Sequence, residues 1–348
     1  MELNELTSKM ATGEDLLLTE ASSAADALAS PDVASHDKKE FLIRLSTKGE
    51  SPDEVAGLAN RFRELARNPG LDVWKDKAID VCGTGGDKQG TFNISTTVTF
   101  ILASAGIPIF KHGNKSITSK CGSAHLLEAL GVDITADDAT LNKSMEALGF
   151  CFMFAQSFHP AFKEIMPVRK ALAEEGKHSV FNLLGPMINP GAPAYQLIGV
   201  YSPKVMDVMA NALTKMGLKA GFVAHCDLGA DGGMDEFSVA GLNITKGICA
   251  LSDADDQWMV EDFGLHSGSL ADLQGGDVEE NLKIFNKLLA GEAPKALEDS
   301  VVLNAAAAFR IIERYGSIKD GIPEARELLL GGDVKTKVEQ TRDFYSSL

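Results

Sequence analysis

Two short apolar runs in this chain, residues 79–82 and 107–110, each end in a polar loop that contains glycine, and each loop opens a helix-like segment. The stretch from Asp80 to Glu128 therefore reads β-loop-α-β-loop-α, with both loops at the same ends of neighbouring parallel strands. Open α/β sheets bind ligands at that carboxyl edge. The charges agree. Between Lys88 and Leu127 stand Lys88, Lys111, Lys115 and Lys120 and no acid, in a chain whose net charge is -16. A small, highly charged anion fits such a place, because its affinity follows the local field and not the total charge.

The first loop, GTGGDKQG, follows its strand directly. Glycines there let the backbone approach a ligand and turn successive amides toward an anion. The spacing is neither the Walker form nor GxGxxG. Asn93-Ile94-Ser95-Thr96 then opens a helix, whose free amides and hydroxyls make a second anion site. The second loop, KHGNKSITSKCGS, precedes a helix in SAHLLEALG.

Other features bound the class. With 348 residues the chain can bury a large core, and 45% hydrophobic with 24% charged residues is ordinary for a globular protein. The acidic balance argues against a nucleic-acid binder that works by broad phosphate neutralisation. Five widely spaced cysteines without CxxC predict free thiols, not a zinc site or disulfide framework. No basic-then-apolar leader opens the sequence, and no apolar run approaches the ~20 residues of a membrane span, so a cytoplasmic protein is expected.

Residues 1 to about 72 read as short helices. Thr19 is the expected cap of the second, and Ser51 with Pro52 starts the fourth. FNLLGPMINP reads as a structured turn. Strands are expected at 195–200 and 219–225, and the Ala-rich helix near residue 303 is expected to be buried. Asp235 and Glu236 are neighbours whose side chains ordinarily diverge into solvent, yet acids in a glycine-framed loop can also hold Mg²⁺.

GTGGD, NIST, KHGN with SxxGSA, VRKAL, FNLLGPMINP and GMDEFS, in this order and spacing, resemble the anthranilate phosphoribosyltransferase family over essentially the whole chain. The resemblance implies an α/β fold, a mostly parallel central sheet flanked by helices. A smaller helical domain would span 1–73, joined by helices from about 163–180, with the phosphoribosyl-transfer domain over 74–348. It implies that phosphoribosyl pyrophosphate lies on Gly83, Gly86, Asp87, Thr91, Asn93, Ile94, Ser95 and Thr96. Lys111, His112, Gly113, Asn114, Lys115, Ser116, Ile117, Thr118, Ser119 and Ser123 would wrap the rest. Anthranilate would meet Gly83, Asn114, His159 and Arg169, and Mg²⁺ would meet Ser95, Asp235 and Glu236. Lys111 and His112 are the catalytic candidates, His112 either as a base or as a residue that shapes the loop. The partners implied are the two small substrates and a second copy of the chain in a homodimer, with neither nucleic acid nor membrane.

Lys115 stands where the family usually has arginine, and His125 where it usually has aspartate. A paralogue acting on another aromatic amine or nucleobase, a nucleoside phosphorylase, and a non-catalytic nucleic-acid-binding relative stay as alternatives.

Overall fold

The computed structural model describes residues 2–115 and 120–348. Its strands are β1 (Ile79–Gly83), β2 (Ile109–Gly113), β3 (Phe150–Phe154), β4 (Tyr195–Gly199), β5 (Ala220–Asp227), β6 (Gly233–Met234), β7 (Leu242–Cys249) and β8 (Asp256–Trp258). They form one sheet in the order β3-β2-β1-β4-β5-β7-β8, with β6 on β5. From β3 to β5 every pairing is parallel, and β5-β6, β5-β7 and β7-β8 are antiparallel.

Local chemistry explains the split. Strand β3, FCFMF, is buried at all five positions, as suits a strand covered on both faces. Strand β7 instead interleaves Asn243, Thr245 and Ile248, which are buried, with partly exposed residues. The chain runs outward from β1 through β2 to β3 and returns as β4 on the other side of β1. This reversal leaves a crevice at the carboxyl ends of β1 and β4.

One apolar cluster lies around helix Ile94–Ser104 and the Ala-rich helix Lys295–Ile311, which is buried as expected. A second joins Leu6, Leu28, Phe41 and Phe62 of the N-terminal helices to Ile165, Val168 and Leu172, and to Ile198 and Val223 of the sheet. Helices Leu18–Ala29 and Pro52–Glu64 meet closely because Gly57 has no side chain, since a Cβ there would lie 2.8 Å from Ala21 Cβ. Ser51 caps the latter helix as expected, accepting from Glu54 N at 3.3 Å while Glu54 Oε2 accepts from Ser51 N at 2.7 Å.

Two local expectations are corrected. Helix Leu18–Ala29 begins before Thr19, and its start is tied instead by the carboxylate of Glu20, which accepts from Leu17 N at 2.8 Å. FNLLGPM is a helix, Phe181–Met187, not a turn. Its start is tied by Ser179 N donating to Asn182 Oδ1 at 3.0 Å, and Pro186 lies inside it without an amide hydrogen to donate. None of the five cysteines forms a disulfide among the described residues. No helix among the described residues is long and apolar enough to cross a membrane.

Candidate active site

The crevice is built by glycine at both strand ends. Gly83 and Gly199 are paired neighbours at the ends of β1 and β4. A Cβ on Gly83 would overlap the carboxylate of Asp235, 2.7 Å from its Cγ, and one on Gly199 would overlap the carbonyl of Asp235 and lie 3.0 Å from Glu236 N. The absent side chains thus let the turn after β6 sit directly on the sheet edge. Beyond Gly83, Gly85, Gly86, Lys88 and Gly90 take φ of 68°, 85°, 63° and 67°, and this left-handed backbone turns the loop back on itself. Gly85 N donates to Asp235 Oδ2 at 2.6 Å.

Asp235 and Glu236 diverge, as adjacent side chains do, but into the site. Glu236 Oε1 accepts from Ser95 N at 3.3 Å, at the start of helix Ile94–Ser104, while Glu236 Oε2 is buried without a hydrogen-bond partner. Burial pushes both carboxyls up. The charge of Asp87 adds to the effect at Asp235, and the charge of Asp235 adds to it at Glu236. Two crowded, desolvated carboxylates with an orphaned oxygen are a donor set that a hard divalent cation would satisfy. Among the described residues no three His, Cys, Asp or Glu side chains gather as a metal cage. Two carboxylates and a hydroxyl fit Mg²⁺, which commonly keeps several waters. That hydroxyl, Ser95 Oγ, accepts from Lys111 Nζ at 3.1 Å.

Lys111 is 1% exposed, and its ammonium also donates to Val81 O. Behind it lies Asp80, fully buried, accepting from Asn189 Nδ2 at 2.8 Å. Burial pushes the Asp80 carboxyl up to about 6, against the opposing pull of Lys111 and of hydrogen bonds from Asn189 and His112 N.

His112, next to Lys111 in β2, and His159 are both buried and face each other, with Nε2 atoms 3.2 Å apart. Burial pushes His112 down to about 3, with His159 and Lys111 adding to it, and pushes His159 down to about 4. The Arg169 guanidinium, half-buried, lies over the Phe181 ring at 5.4 Å. Burial lowers its pKa, and no acid among the described residues pairs with it. Asn114 Oδ1 accepts from Gln156 Nε2 at 3.3 Å. Gly113 is pressed against Phe152, whose Cε2 would lie 3.1 Å from a Cβ there, and against Ser123.

Several expected residues are placed differently. Asn93 does not present its amide to the crevice, because Nδ2 donates to Cys121 O at 3.1 Å and Oδ1 accepts from Asn281 at 2.9 Å. Ile94 and Thr96 are fully buried, so Ile94 has only backbone to offer, and Thr96 Oγ1 is buried without a partner. Thr91 pairs with Gln274, on the rim of the loop. Asp87 Oδ1 accepts from Gln89 N at 3.2 Å. Ser116, Ile117, Thr118 and Ser119 lie outside the described residues. The two departures from the family pattern have local partners. Lys115 pairs with Glu128 at 3.7 Å, and His125 Nδ1 accepts from Gly122 N at 3.2 Å, the capping work of an aspartate. Gly199, Asp80 and Asn189 were not anticipated. The only signal in sequence was the glycine that ends YQLIG, the same terminus as IDVCG.

Residues 75–335 match the family described as glycosyl transferase family, a/b domain. The chain is 37% identical over 346 residues to the anthranilate phosphoribosyltransferase of Petrotoga mobilis, covering 99% of this chain and 97% of that protein. The crystal structure of anthranilate phosphoribosyltransferase from Thermus thermophilus matches with a TM-score of 0.89 at 38% identity, over 99% of this chain and 100% of that one. The Saccharomyces cerevisiae enzyme of the same name, in complex with PRPP and Mg, matches with a TM-score of 0.82 at 25% identity, over 99% and 98%. Similarity at this level along the whole length establishes that the chain belongs to the anthranilate phosphoribosyltransferase family, within the glycosyl transferases that share this α/β domain.

Proposed function

We propose that this chain transfers the phosphoribosyl group of 5-phosphoribosyl 1-pyrophosphate to the amine of anthranilate, releasing pyrophosphate, with Mg²⁺ as cofactor. The observation that carries the reading is the orphaned, buried carboxylate oxygen of Glu236, beside Asp235 and at the end of a glycine loop that carries lysine. Acids so close to an anion loop make sense when a cation joins them to the anion. Asp235 and Glu236 would hold the ion, with Ser95 beside them. Bound there, it supplies positive charge against the leaving diphosphate.

The chain's own part is anion stabilisation and positioning. The bond between C1 of ribose and the pyrophosphate oxygen breaks as the amine nitrogen bonds to C1, and negative charge grows on the leaving group. Backbone amides of the glycine loop and the Lys111 ammonium meet that charge without reorganising. An aromatic amine is largely unprotonated at pH 7, so it attacks through its free pair, and its proton leaves afterwards to water or to pyrophosphate. A base with a pKa near 3 contributes little at neutral pH. We therefore assign His112 and His159 to the shape of the acceptor pocket, the second of the two roles open to His112. Arg169 fits the anthranilate carboxylate through two parallel hydrogen bonds. The reading carries with it a cytoplasmic location, a helical lobe over 1–73, and a homodimer formed through that lobe. Light scattering at twice the chain mass supports the dimer, and a monomer removes it.

The direct test is anthranilate fluorescence. Its decay should require the protein, phosphoribosyl pyrophosphate and Mg²⁺ together, and no decay with all three present overturns the proposal. Arg169→Ala should raise the KM for anthranilate roughly 10- to 100-fold, the range for charge-assisted hydrogen bonds worth about 1.5–3 kcal/mol. The KM for the donor should stay nearly constant, and equal rises would contradict the assignment.

A pH effect follows from the two acids. Their folded pKa values lie above the unfolded ones, so between those values the folded state binds more protons, and metal-free stability falls as pH rises. Asp235→Asn with Glu236→Gln is therefore expected to melt higher than the parent in EDTA at pH 8. The advantage should shrink toward pH 5, where the parent's acids take up protons. A difference that does not vary with pH would show that the acids are not desolvated as described.

A further inference from the structure

Asn281 is far in sequence from every motif above, in helix Val278–Leu289, and it is 1% exposed. The helix does not need it as a cap, because Asp277 accepts from Glu280 N at 3.0 Å. A buried amide is retained only where its donors and acceptor are met, and these all go to the donor side of the crevice. Asn281 Nδ2 donates to Asn93 Oδ1 at 2.9 Å, and Asn281 Oδ1 accepts from Gly276 N at 2.7 Å. Asn93 Nδ2 in turn donates to Cys121 O at 3.1 Å. One chain of side-chain amides therefore runs from residue 276 through the start of the NIST helix to the end of the KHGN loop.

The segment before Asn281 is laid against the glycine loop along its length. Phe92 N donates to Leu273 O and Gly275 N to Gly90 O, both at 2.9 Å. A Cβ on Gly275 would lie 2.9 Å from Asn281 Oδ1, 2.9 Å from Thr91 O and 3.0 Å from Phe92 Cα. Residues 273–276 act as a strap, and Asn281 is its buckle.

We propose that Asn281 is a positioning residue for the phosphoribosyl donor. Acting through Asn93, it holds the end of the glycine loop and Cys121 at a fixed separation, so that the glycine-loop amides and Lys111 meet one polyanion together. The inference rests on the donor reading above. It assigns Asn93 a part in that separation, where the family pattern assigns it to phosphate.

Steady-state kinetics with both substrates tests it. Asn281→Ala should raise the KM for phosphoribosyl pyrophosphate about tenfold, equivalent to about 1.4 kcal/mol, and leave that for anthranilate within about twofold. Asn93→Ala should do the same, and the double variant should be no worse than either single, because both break one chain of bonds. If Asn281→Ala does not fold, Asn281→Asp keeps the acceptor for Gly276 N and sets an anion against Asn93 Oδ1, and the same split is expected. Equal rises in both KM values, or single effects that multiply in the double variant, overturn the inference, since a merely structural residue behaves that way. Calorimetry of the parent with phosphoribosyl pyrophosphate and Mg²⁺ separates the two failures. A parent that does not bind the donor sinks the donor reading and this inference with it. A parent that binds, beside Asn281 variants that match it, sinks this inference alone.

Discussion

Gly199→Ala is expected to reduce transfer activity at least 100-fold and to lower the melting temperature. The added methyl would occupy the space of the Asp235 carbonyl, which is backbone, and the position of a Cβ is itself fixed by the strand. No rotamer change relieves it. Either the end of β4 leaves its register with Gly83, or the turn that carries Asp235 and Glu236 lifts off the sheet edge. Overpacking of this kind costs about 1–3 kcal/mol in stability. The larger loss falls on activity, because a displacement near 1 Å in a positioned group can cost about 10²-fold in rate. Gly316→Ala is the control, since nothing lies within 4 Å of a Cβ there. Activity and Mg²⁺ dependence, measured by anthranilate fluorescence, should collapse in the first variant and persist in the second. A Gly199→Ala protein with parental activity would mean that the acids do not depend on that close approach.

Lys111→Met should lower kcat/KM for the donor by about 10²–10³, the usual loss when one preorganised donor to a developing anion is removed. Methionine nearly matches the stem's volume, so packing survives and the charge is what disappears. Three groups then lose a partner. The Val81 carbonyl and the Ser95 hydroxyl lose a hydrogen bond, and Asp80 loses the cation that opposes its desolvation. Lys111→Arg should not restore the rate, because a planar guanidinium cannot reproduce a compact ammonium in a site only 1% exposed. A fall in kcat/KM of less than about threefold would remove Lys111 from the anion site.

Much of the site was legible because its signals are local. GTGGD is read from the backbone it requires, and three of its loop's glycines adopt the left-handed φ that this reading expects. NIST is read from the start of a helix, and Ser95 N there donates to the carboxyl of Glu236. His125 was legible only as a departure, until its ring proved to accept from Gly122 N. The opposite case is Asn93, where the motif suggested a phosphate ligand and the fold has engaged both amide atoms elsewhere. FNLLGPM was misread because a proline so near the end of a seven-residue helix looks, in sequence, like a break.

By itself the sequence determined the parallel strand-loop-helix units, the acid-free stretch from Lys88 to Leu127, the family and the adjacent acids proposed for the metal. These depend on backbone preference and on charge within a few residues of each other. Only the tertiary structure decided which distant groups meet: Gly199 beneath Asp235, Asn189 on Asp80, His159 on His112 and Asn281 on Asn93. The reason is the sheet order. β4 returns to the far side of β1, and which strand ends become neighbours is a property of that reversal that no single segment carries.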